Sequence, residues 1–394
     1  MDKWPKNWNI YQFDDIAKFI DYRGYTPNKT DSGVPLITAK NVRIGFLNVE
    51  PREYISQEEY DVRMTRGFPQ KGDVFFTTEA PLGYVAILDL DYKVAIGQRL
   101  ITLQAKNNAY ISRFLLYSIL SNRFQKELYK KATGTTVKGI KSSILKKIQI
   151  PLPPLPEQTR IVSKLDALFA RIDKCIALLE ENIKHTNALI DSSIAGIFDH
   201  LANEYQCSPL LKYVDFIGGS QPPKSKFSNV SKEGYVRLIQ IRDYKSNNYV
   251  VYIDKKSTTK FCNENDVMIG RYGPPVFQIL RGLNGAYNVA LMKAVPNEER
   301  LTKDYLYYFL QNSKIQGYII SISQRSAGQS GVNKKALEMY EIAIPPLSVQ
   351  MVVVTKIKSL IDALNKLIGE QQSKLTYLKA LKSSLLDRAF KGEL

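Results

Sequence analysis

Two histidines and three cysteines in 394 residues leave little room for several kinds of chemistry. His185 and His200 cannot furnish a His-rich metal centre, and both read as surface or linker histidines. Cys175, Cys207 and Cys262 are odd in number and far apart, which excludes a disulfide framework and a zinc-binding spacing and points to a reducing cytoplasm. There is no Gly-Lys dipeptide, so a Walker A loop with its phosphate-gripping lysine is absent. No uncharged apolar run approaches the roughly 20 residues that span a bilayer, and Met1–Trp4 does not open a signal peptide. None of the four Pro-Pro pairs sits in the Asp/Asn-Pro-Pro-aromatic box of amino-methyltransferases. These gaps describe a binder rather than a catalyst.

What the chain has in excess is positive charge. There are 55 Lys+Arg against 38 Asp+Glu, a net charge of +17, and the excess is uneven. It is +8 over residues 1–150, −2 over 151–199, +7 over 200–341 and +4 over 342–394. A diffuse excess would serve solubility alone. Two basic blocks around a near-neutral segment fit a polyanion better, and nucleic acid is the expected partner. The 24 tyrosines agree with this, since phenols stack on bases and donate to phosphates.

The blocks are also copies of each other. Setting Pro153-Pro154-Leu155 on Pro345-Pro346-Leu347 fixes an offset of 192 residues. At that offset Gln158 meets Gln350, Lys164 meets Lys356, Leu168 meets Leu360, Ile176 meets Ile368, Leu189 meets Leu381 and Phe198 meets Phe390. Upstream the match is looser: GVPLITAKNV (33–42) with GYVRLIQIRDY (234–244), KGDVFFTTEAPLG (71–83) with ENDVMIGRYGPPV (264–276), and GIKSSILKKIQIPLPP (139–154) with GVNKKALEMYEIAIPP (331–346). A kept frame with exchanged side chains is what one scaffold reading two targets would show.

Residues 157–199 read as one long helix. Ile161, Leu165, Leu168, Ile172, Cys175 and Leu179 recur at spacings of four and three, and Thr186, Leu189 and Ser193 continue the seam. Such a helix would run roughly 60 Å. Residues 349–391 repeat it through Val353, Ile357, Leu360, Leu364, Leu367, Leu378, Leu381 and Leu385. Length and heptad spacing favour a mutual antiparallel coiled coil over two ordinary core helices. The remaining blocks mix short β-like runs (34–38, 73–77, 84–88, 100–103) with amphipathic stretches near 111–128 and 302–315. The expected class is α+β: two globular α/β domains at 1–150 and 200–341, with long helical segments at 151–199 and 342–394.

IPLPPLPEQTRIVSKLDALFARID (150–173), its second copy, the approach GTTVKGIKSSILKKIQIPLPP (134–154) and the ending SSLLDRAFKGEL (383–394) resemble the specificity subunit of Type I restriction–modification enzymes. The likeness covers the whole chain. The second copy departs from it where Pro156-Glu157 becomes Ser348-Val349 and Arg160 becomes Val352. The resemblance implies two target-recognition domains, each reading half of a split double-stranded DNA sequence, held apart by two antiparallel helices that bind two methylation subunits. It implies restriction and translocation subunits as further partners, no catalytic centre in this chain, and S-adenosylmethionine, ATP and Mg²⁺ as the partners' cofactors. Leu165, Leu168, Ile172, Leu179, Ile357, Leu360, Leu364 and Leu367 are the expected partner-binding helix positions.

For DNA itself, loops carrying Arg, Lys, Asn and Gln are the expected base readers, with acids for cytosine amines. The candidates are Lys40, Arg43, Thr78, Glu79, Gln98 and Arg99 in the first block. In the second they are Lys224, Gln240, Arg242, Arg271, Tyr272 and Gln278. Gly134–Gly139, with Thr136 and Lys138 and followed by Lys141, is a loop able to approach a phosphate closely. Its counterpart holds Gln329 and Ser330, then Asn333 and Lys334. Lys126, Lys130, Lys131, Lys146 and Lys147 crowd the same stretch, with only Glu127 as an acid; a solvated helix face is the plain alternative. A stand-alone DNA-modifying enzyme, a methyltransferase or a Mg²⁺ nuclease using Asp73, Glu79 or Asp266, stays open at this point. So does a protein-only scaffold.

Overall fold

The computed structural model describes residues 5, 7–22, 26–323 and 331–394. The chain divides into two compact units, Met1–Glu180 with Ser373–Leu394, and Glu181–Gln372. Both mix helices with sheets, as an α+β chain does.

In the first unit an antiparallel four-stranded sheet runs in the order Ala17–Asp21, Leu100–Ala105, Val74–Thr78, Leu82–Ile87. Its central strands are apolar on both faces, so the sheet is sandwiched. One face meets Trp8, Phe13, Phe114 and Leu128. The other meets a small sheet in which Val34–Ile37 pairs antiparallel with Tyr54–Ile55 and parallel with Ala95–Ile96. A two-stranded ribbon, Asn9–Gln12 with Gln149–Leu152, closes the block.

The second unit repeats this connectivity. Its main sheet has the order Val214–Gly218, Leu291–Pro296, Val267–Gly270, Gln278–Leu280. Tyr235–Ile239 pairs antiparallel with Tyr252–Asp254 and parallel with Gly285–Tyr287, and Cys207–Pro209 pairs with Glu341–Ala343. The amphipathic stretch expected at 111–128 is two helices, Ser112–Leu120 and Asn122–Lys131. Ser121 separates them because its backbone is extended and its side chain caps the second helix at Phe124 N. Lys303–Leu310 and Ser313–Ser323 are the corresponding pair.

The long helices span Leu155–Glu204 and Leu347–Ala389, and each unit contains a portion of both. In the first unit they run antiparallel: Lys382 Nζ lies 2.7 Å from Asp173, and Arg160 donates to Leu394 O at 2.7 Å. In the second, Ile194, Phe198 and Leu201 share a core with Val353, Val354 and Ile357. Each unit therefore packs the start of its own helix and the end of the other. Phe390 stacks on Phe114 and Trp8, with centroids 5.2 and 6.1 Å apart, while Phe198 stacks on Tyr305 and Phe309 at 5.3 and 5.4 Å. Each buried phenyl contributes about 1.5–3 kcal/mol.

The seam departs from the expected positions. Cys175 is exposed and Ile176 packs in its place; Leu189 is exposed, with Ile190 and Ile194 inward. In the second helix Leu367 and Leu381 face solvent and Leu375 packs instead, while Leu378 and Leu385 pack as expected. A straight α-helix drifts about 20° per heptad against a strict seven-residue repeat. An apolar neighbour one residue along therefore takes over the seam after a few turns. Leu165, Ile172 and Ile357 are buried and Leu168, Leu179, Leu360 and Leu364 partly so.

Candidate nucleic-acid interface

The parallel strand pair decides where the candidate residues go. Leu36 and Ile37 lie beside Ala95 and Ile96, so both chains leave the small sheet at the same end. Gly97 N donates to Ile37 O at 2.7 Å, joining the two exit loops. The first loop is held by Asn41, which is buried. Its Oδ1 accepts from Thr38 N at 2.9 Å and its Nδ2 donates to Asn48 O and Pro51 O, both at 3.1 Å. The turn leaves Lys40 outside, with Nζ 3.2 Å from Glu53. Burial pushes the Glu53 carboxyl up, but the ammonium groups of Lys29 and Lys40 outweigh it and hold the group below its ordinary value. The Arg43 guanidinium donates to the Lys40 and Val42 carbonyls.

The second loop carries Gln98, which donates to Thr26 Oγ1 at 2.7 Å, and Arg99. Arg99 has a φ of +67°, a left-handed conformation that a branched-chain-free residue tolerates at a cost of order 1 kcal/mol. Two contacts hold it: Thr78 N donates to Arg99 O at 2.9 Å, and Arg99 Nε lies 2.7 Å from Glu79 Oε1. Glu79 in turn bridges Gly139, and Ile140 N donates to Thr78 O at 3.0 Å. That contact brings in the 133–139 loop, where Thr136 and Lys138 are exposed. The loop is tight: Gly134 has a φ of +104°, and a Cβ there would stand 2.1 Å from Val137 O. Lys40, Gln98, Arg99, Glu79 and Lys138 thus lie along one hydrogen-bonded run of loops. Thr78 does not join them at the surface; its side chain is buried in its strand, and only its backbone serves the site. Lys141 is exposed at the cap of the short helix Ser142–Leu145.

The second unit builds the same run with other side chains. Asn288 N donates to Ile239 O at 3.1 Å, Arg271 N to Ala290 O at 2.8 Å, and Val332 N to Arg271 O at 3.0 Å. These are the three backbone bonds of the first unit, residue for residue. Tyr272 bridges Gly331 as Glu79 bridges Gly139. Asp243 takes the place of Asn41: it is buried and accepts from Gln240 N at 3.0 Å. Arg242 takes the place of Lys40, its guanidinium 5.4 Å from the Tyr249 ring centre. Here the arginine comes from the other strand. Arg271 occupies the Thr78 position, reaches the Val289 carbonyl at 3.3 Å and covers the Tyr272 ring at 5.2 Å, while Ala290 stands where Arg99 stood.

Gln278 lies close by and donates to Pro275 O at 3.0 Å. Lys224 is exposed on the short turn Lys224–Lys226. Asn333 caps the helix Lys334–Met339 through Ala336 N, and Lys334 pairs with Glu338 at 3.4 Å. Gln329 and Ser330 lie outside the described residues. Asn41 and Asp243, which hold the two turns, were missed as candidates. The aligned strings TAKN and QIRD carried their signal: a short carboxamide or carboxylate four residues past a strand end is the mark of such a turn.

The three acids considered for a nuclease have structural partners. Asp73 accepts from Gln70 N at 2.7 Å and from Gln104 Nε2 at 2.8 Å, and burial raises its pKa. Asp266, its counterpart, accepts from Asn263 N at 3.0 Å. Burial pushes it up too, but that N–H with Lys303 and Lys293 holds it below the ordinary value. Glu79 is paired with Arg99. Among the described residues no three His, Cys, Asp or Glu stand together as a metal-ligand set, and no helix is long and apolar enough to cross a membrane.

Residues 5–185 and 214–377 match the Type I restriction modification DNA specificity domain. The chain is 22% identical over 436 residues to the EcoKI specificity subunit of Escherichia coli, covering 100% of this chain and 90% of that one. It is 24% identical over 433 residues to the MjaIX specificity subunit of Methanocaldococcus jannaschii, covering 100% and 94%. Among solved structures, a chain of a type I R-M system superposes with a TM-score of 0.80 at 22% identity, covering 100% of both chains. The HsdS subunit of Thermoanaerobacter tengcongensis does so with a TM-score of 0.60 at 22% identity, covering 100% of this chain and 98% of that one.

Proposed function

Since the chain belongs to the Type I restriction modification DNA specificity family, we propose that it is the DNA-recognition subunit of such a complex, with each unit reading one half of a bipartite site. The observation that carries this reading is the pair of loop runs. The same three backbone bonds recur in both units, while Glu79, Arg99 and Lys40 give way to Tyr272, Ala290 and Arg242. Phosphate contacts position and base contacts specify, so a fixed backbone with changed side chains is the form two different half-sites require.

Within this reading Lys40, Arg43, Glu79, Gln98 and Arg99 address one half-site; Gln240, Arg242, Arg271, Tyr272 and Gln278 address the other. Lys224, Asn333 and Lys334 flank the second set, with Gln329 and Ser330, while Thr136, Lys138 and Lys141 take phosphates beside the first. The exposed faces of the long helices, Leu367 among them, take two methylation subunits, and a restriction–translocation subunit joins for cleavage. The chain itself is non-catalytic; S-adenosylmethionine, ATP and Mg²⁺ are the partners' cofactors, and the complex works in the cytoplasm on double-stranded DNA. The domain limits 1–150 and 200–341 belong to the same proposal. Mapping methylated sites in host cells with and without this gene tests it. A two-part motif should vanish with the gene, and exchanging residues 200–341 for those of another family member should change one part only. Loss of no motif, or change of both parts together, refutes the reading.

A further inference from the structure

The helix Asn122–Lys131 and the segment 147–151 enclose a cavity of about 590 Å³ that the loop run does not include. Arg123, Lys126, Lys130, Lys131 and Lys147 line it over a floor that includes Phe124, Ile148 and Phe390, and Glu127 is its one acid among the described residues. Glu127 is engaged by Lys131 at 3.2 Å. Lys126, Lys130 and Lys147 have exposed side chains. The helix dipole accounts for cations in its last turn, Lys130 and Lys131. It does not account for Lys126 or Lys147, which add like charge to the same hollow.

Comparison with the second unit shows that the fold does not need this charge. Gln125 Nε2 donates to the Gly83 and Ile119 carbonyls; Gln316 Nε2 donates to those of Phe277 and Leu310. These matched amides put the helix Ser313–Ser323 in register with Asn122–Lys131. Lys126 then corresponds to Gly317, Lys130 to Ser321 and Lys131 to Ile322. The ribbon pairing sets Lys147 against Met339. Only Arg123 keeps a cation, Lys314, and that lysine is paired with Asp199 at 2.7 Å. The same packing is thus achieved with the basic groove deleted.

The groove also leads into the reading loops. Gln125 and Tyr129 hold the turn at Leu82 and Gly83, which follows Glu79, and the helix end runs directly into Thr133, which bridges Gly139. Lys126 and Lys130, one helical turn apart, lie about 6 Å from each other along the axis. We propose that this groove binds the sugar–phosphate backbone of duplex DNA beside the first half-site, a set of sequence-independent contacts that the second unit lacks. The proposal rests on the DNA-recognition reading above.

The test compares the full chain with the Lys126→Gln/Lys130→Gln/Lys147→Gln variant, titrated with a random-sequence duplex across a salt series. Each lost phosphate contact flattens the slope of log K against log salt by about 0.9, so the variant should be flatter by roughly 2–3 while Lys314→Gln is unchanged. An unchanged slope in the triple variant, with salt-dependent binding by the wild type, overturns the groove and leaves the recognition reading standing. An unchanged slope with lost copurification of methylation subunits also overturns it, in favour of a protein-docking surface. A wild type without salt-dependent binding overturns both. The single variant Lys147→Gln, away from the helix, should flatten the slope by about 0.9 and keeps the test decisive should the triple variant fold poorly.

Discussion

Replacing Gln350 by Leu should destabilise the second unit by about 3 kcal/mol or more. Gln350 is fully buried at the start of the second long helix. Its Oε1 accepts from Thr302 N at 2.9 Å, and its Nε2 donates to Arg300 O at 2.8 Å and Pro345 O at 2.9 Å. Leucine fills nearly the same volume but abandons one backbone N–H and two carbonyls in a dry site. Each orphaned group costs roughly 1–3 kcal/mol, and the larger apolar surface of leucine offsets only part of the sum. Thr302 also caps the helix Lys303–Leu310, so loss of its anchor loosens that helix as well. For a unit of this size 1 kcal/mol moves the midpoint by about 2–4 °C, which predicts a fall of about 6–12 °C. Calorimetry of the full chain reads it. Gln158 makes the matching bonds to Ile111 N, Ala109 O and Pro153 O, so Gln158→Leu should do the same to the first unit. Midpoints within about 1 °C of wild type for both variants would refute the reasoning.

Leu165→Asp, at a fully buried seam position, should unfold the first unit, whereas Leu367→Asp, 42% exposed, should shift stability by no more than about 0.5 kcal/mol; equal urea midpoints would return the seam to the sequence-derived register. Phe390→Ala and Phe198→Ala should cost about 3–5 kcal/mol each, the first in the unit that holds Phe114 and the second in the unit that holds Tyr305, as hydrogen exchange in the helices Ser112–Leu120 and Lys303–Leu310 would report. Asp304 is pushed up by burial, but Lys358 and Arg281, 2.7 and 2.6 Å away, hold its carboxyl below the ordinary value. Its stabilising share is therefore present above the unfolded carboxyl's pKa and lost as pH falls through the depressed one. Asp304→Asn should flatten the acid limb of a stability–pH profile and leave its alkaline side alone. Arg99→Ala should cost roughly 1–3 kcal/mol on the target duplex and relax one base position; equal losses on random DNA would demote it to a backbone contact.

The repeat, the α+β class and the two long helices were legible because they rest on local and periodic signals. The Gln158–Gln350 match, met first as a coincidence of letters, proves to be a matched set of three buried hydrogen bonds. The seam was legible in its first three turns and again at Thr186, Leu378 and Leu385, but not at Cys175, Leu189, Leu367 or Leu381. Sequence offers Cys175 and Ile176, or Leu367 and Ile368, side by side, and only the accumulated twist of the packed pair decides between them. The loops were legible as loops, but burial within them was not: Thr78 and Arg271 occupy one backbone position, and only the first is covered. The residue each one bonds through its backbone, Arg99 in one unit and Ala290 in the other, comes from a distant strand, and that pairing is a long-range fact.

That exchange explains how one backbone can carry two surfaces. The bonds common to both runs are main-chain to main-chain: Gly97 or Asn288 to the strand end, Thr78 or Arg271 to the next loop, Ile140 or Val332 back again. None depends on side-chain identity, so the loops keep their course whichever residues they bear. The side chains that do hold the turns, Asn41 and Asp243, point inward and are interchangeable as acceptors for the N–H three residues before them. Substitution at Glu79 or Arg99 forfeits an exposed ion pair worth about 0–1 kcal/mol, and substitution at Lys40 leaves Glu53 its second cation, Lys29. Such positions can change chemistry without threatening the fold. The outward residues of these loops are thus the ones along which two copies of a single scaffold can diverge in what they read.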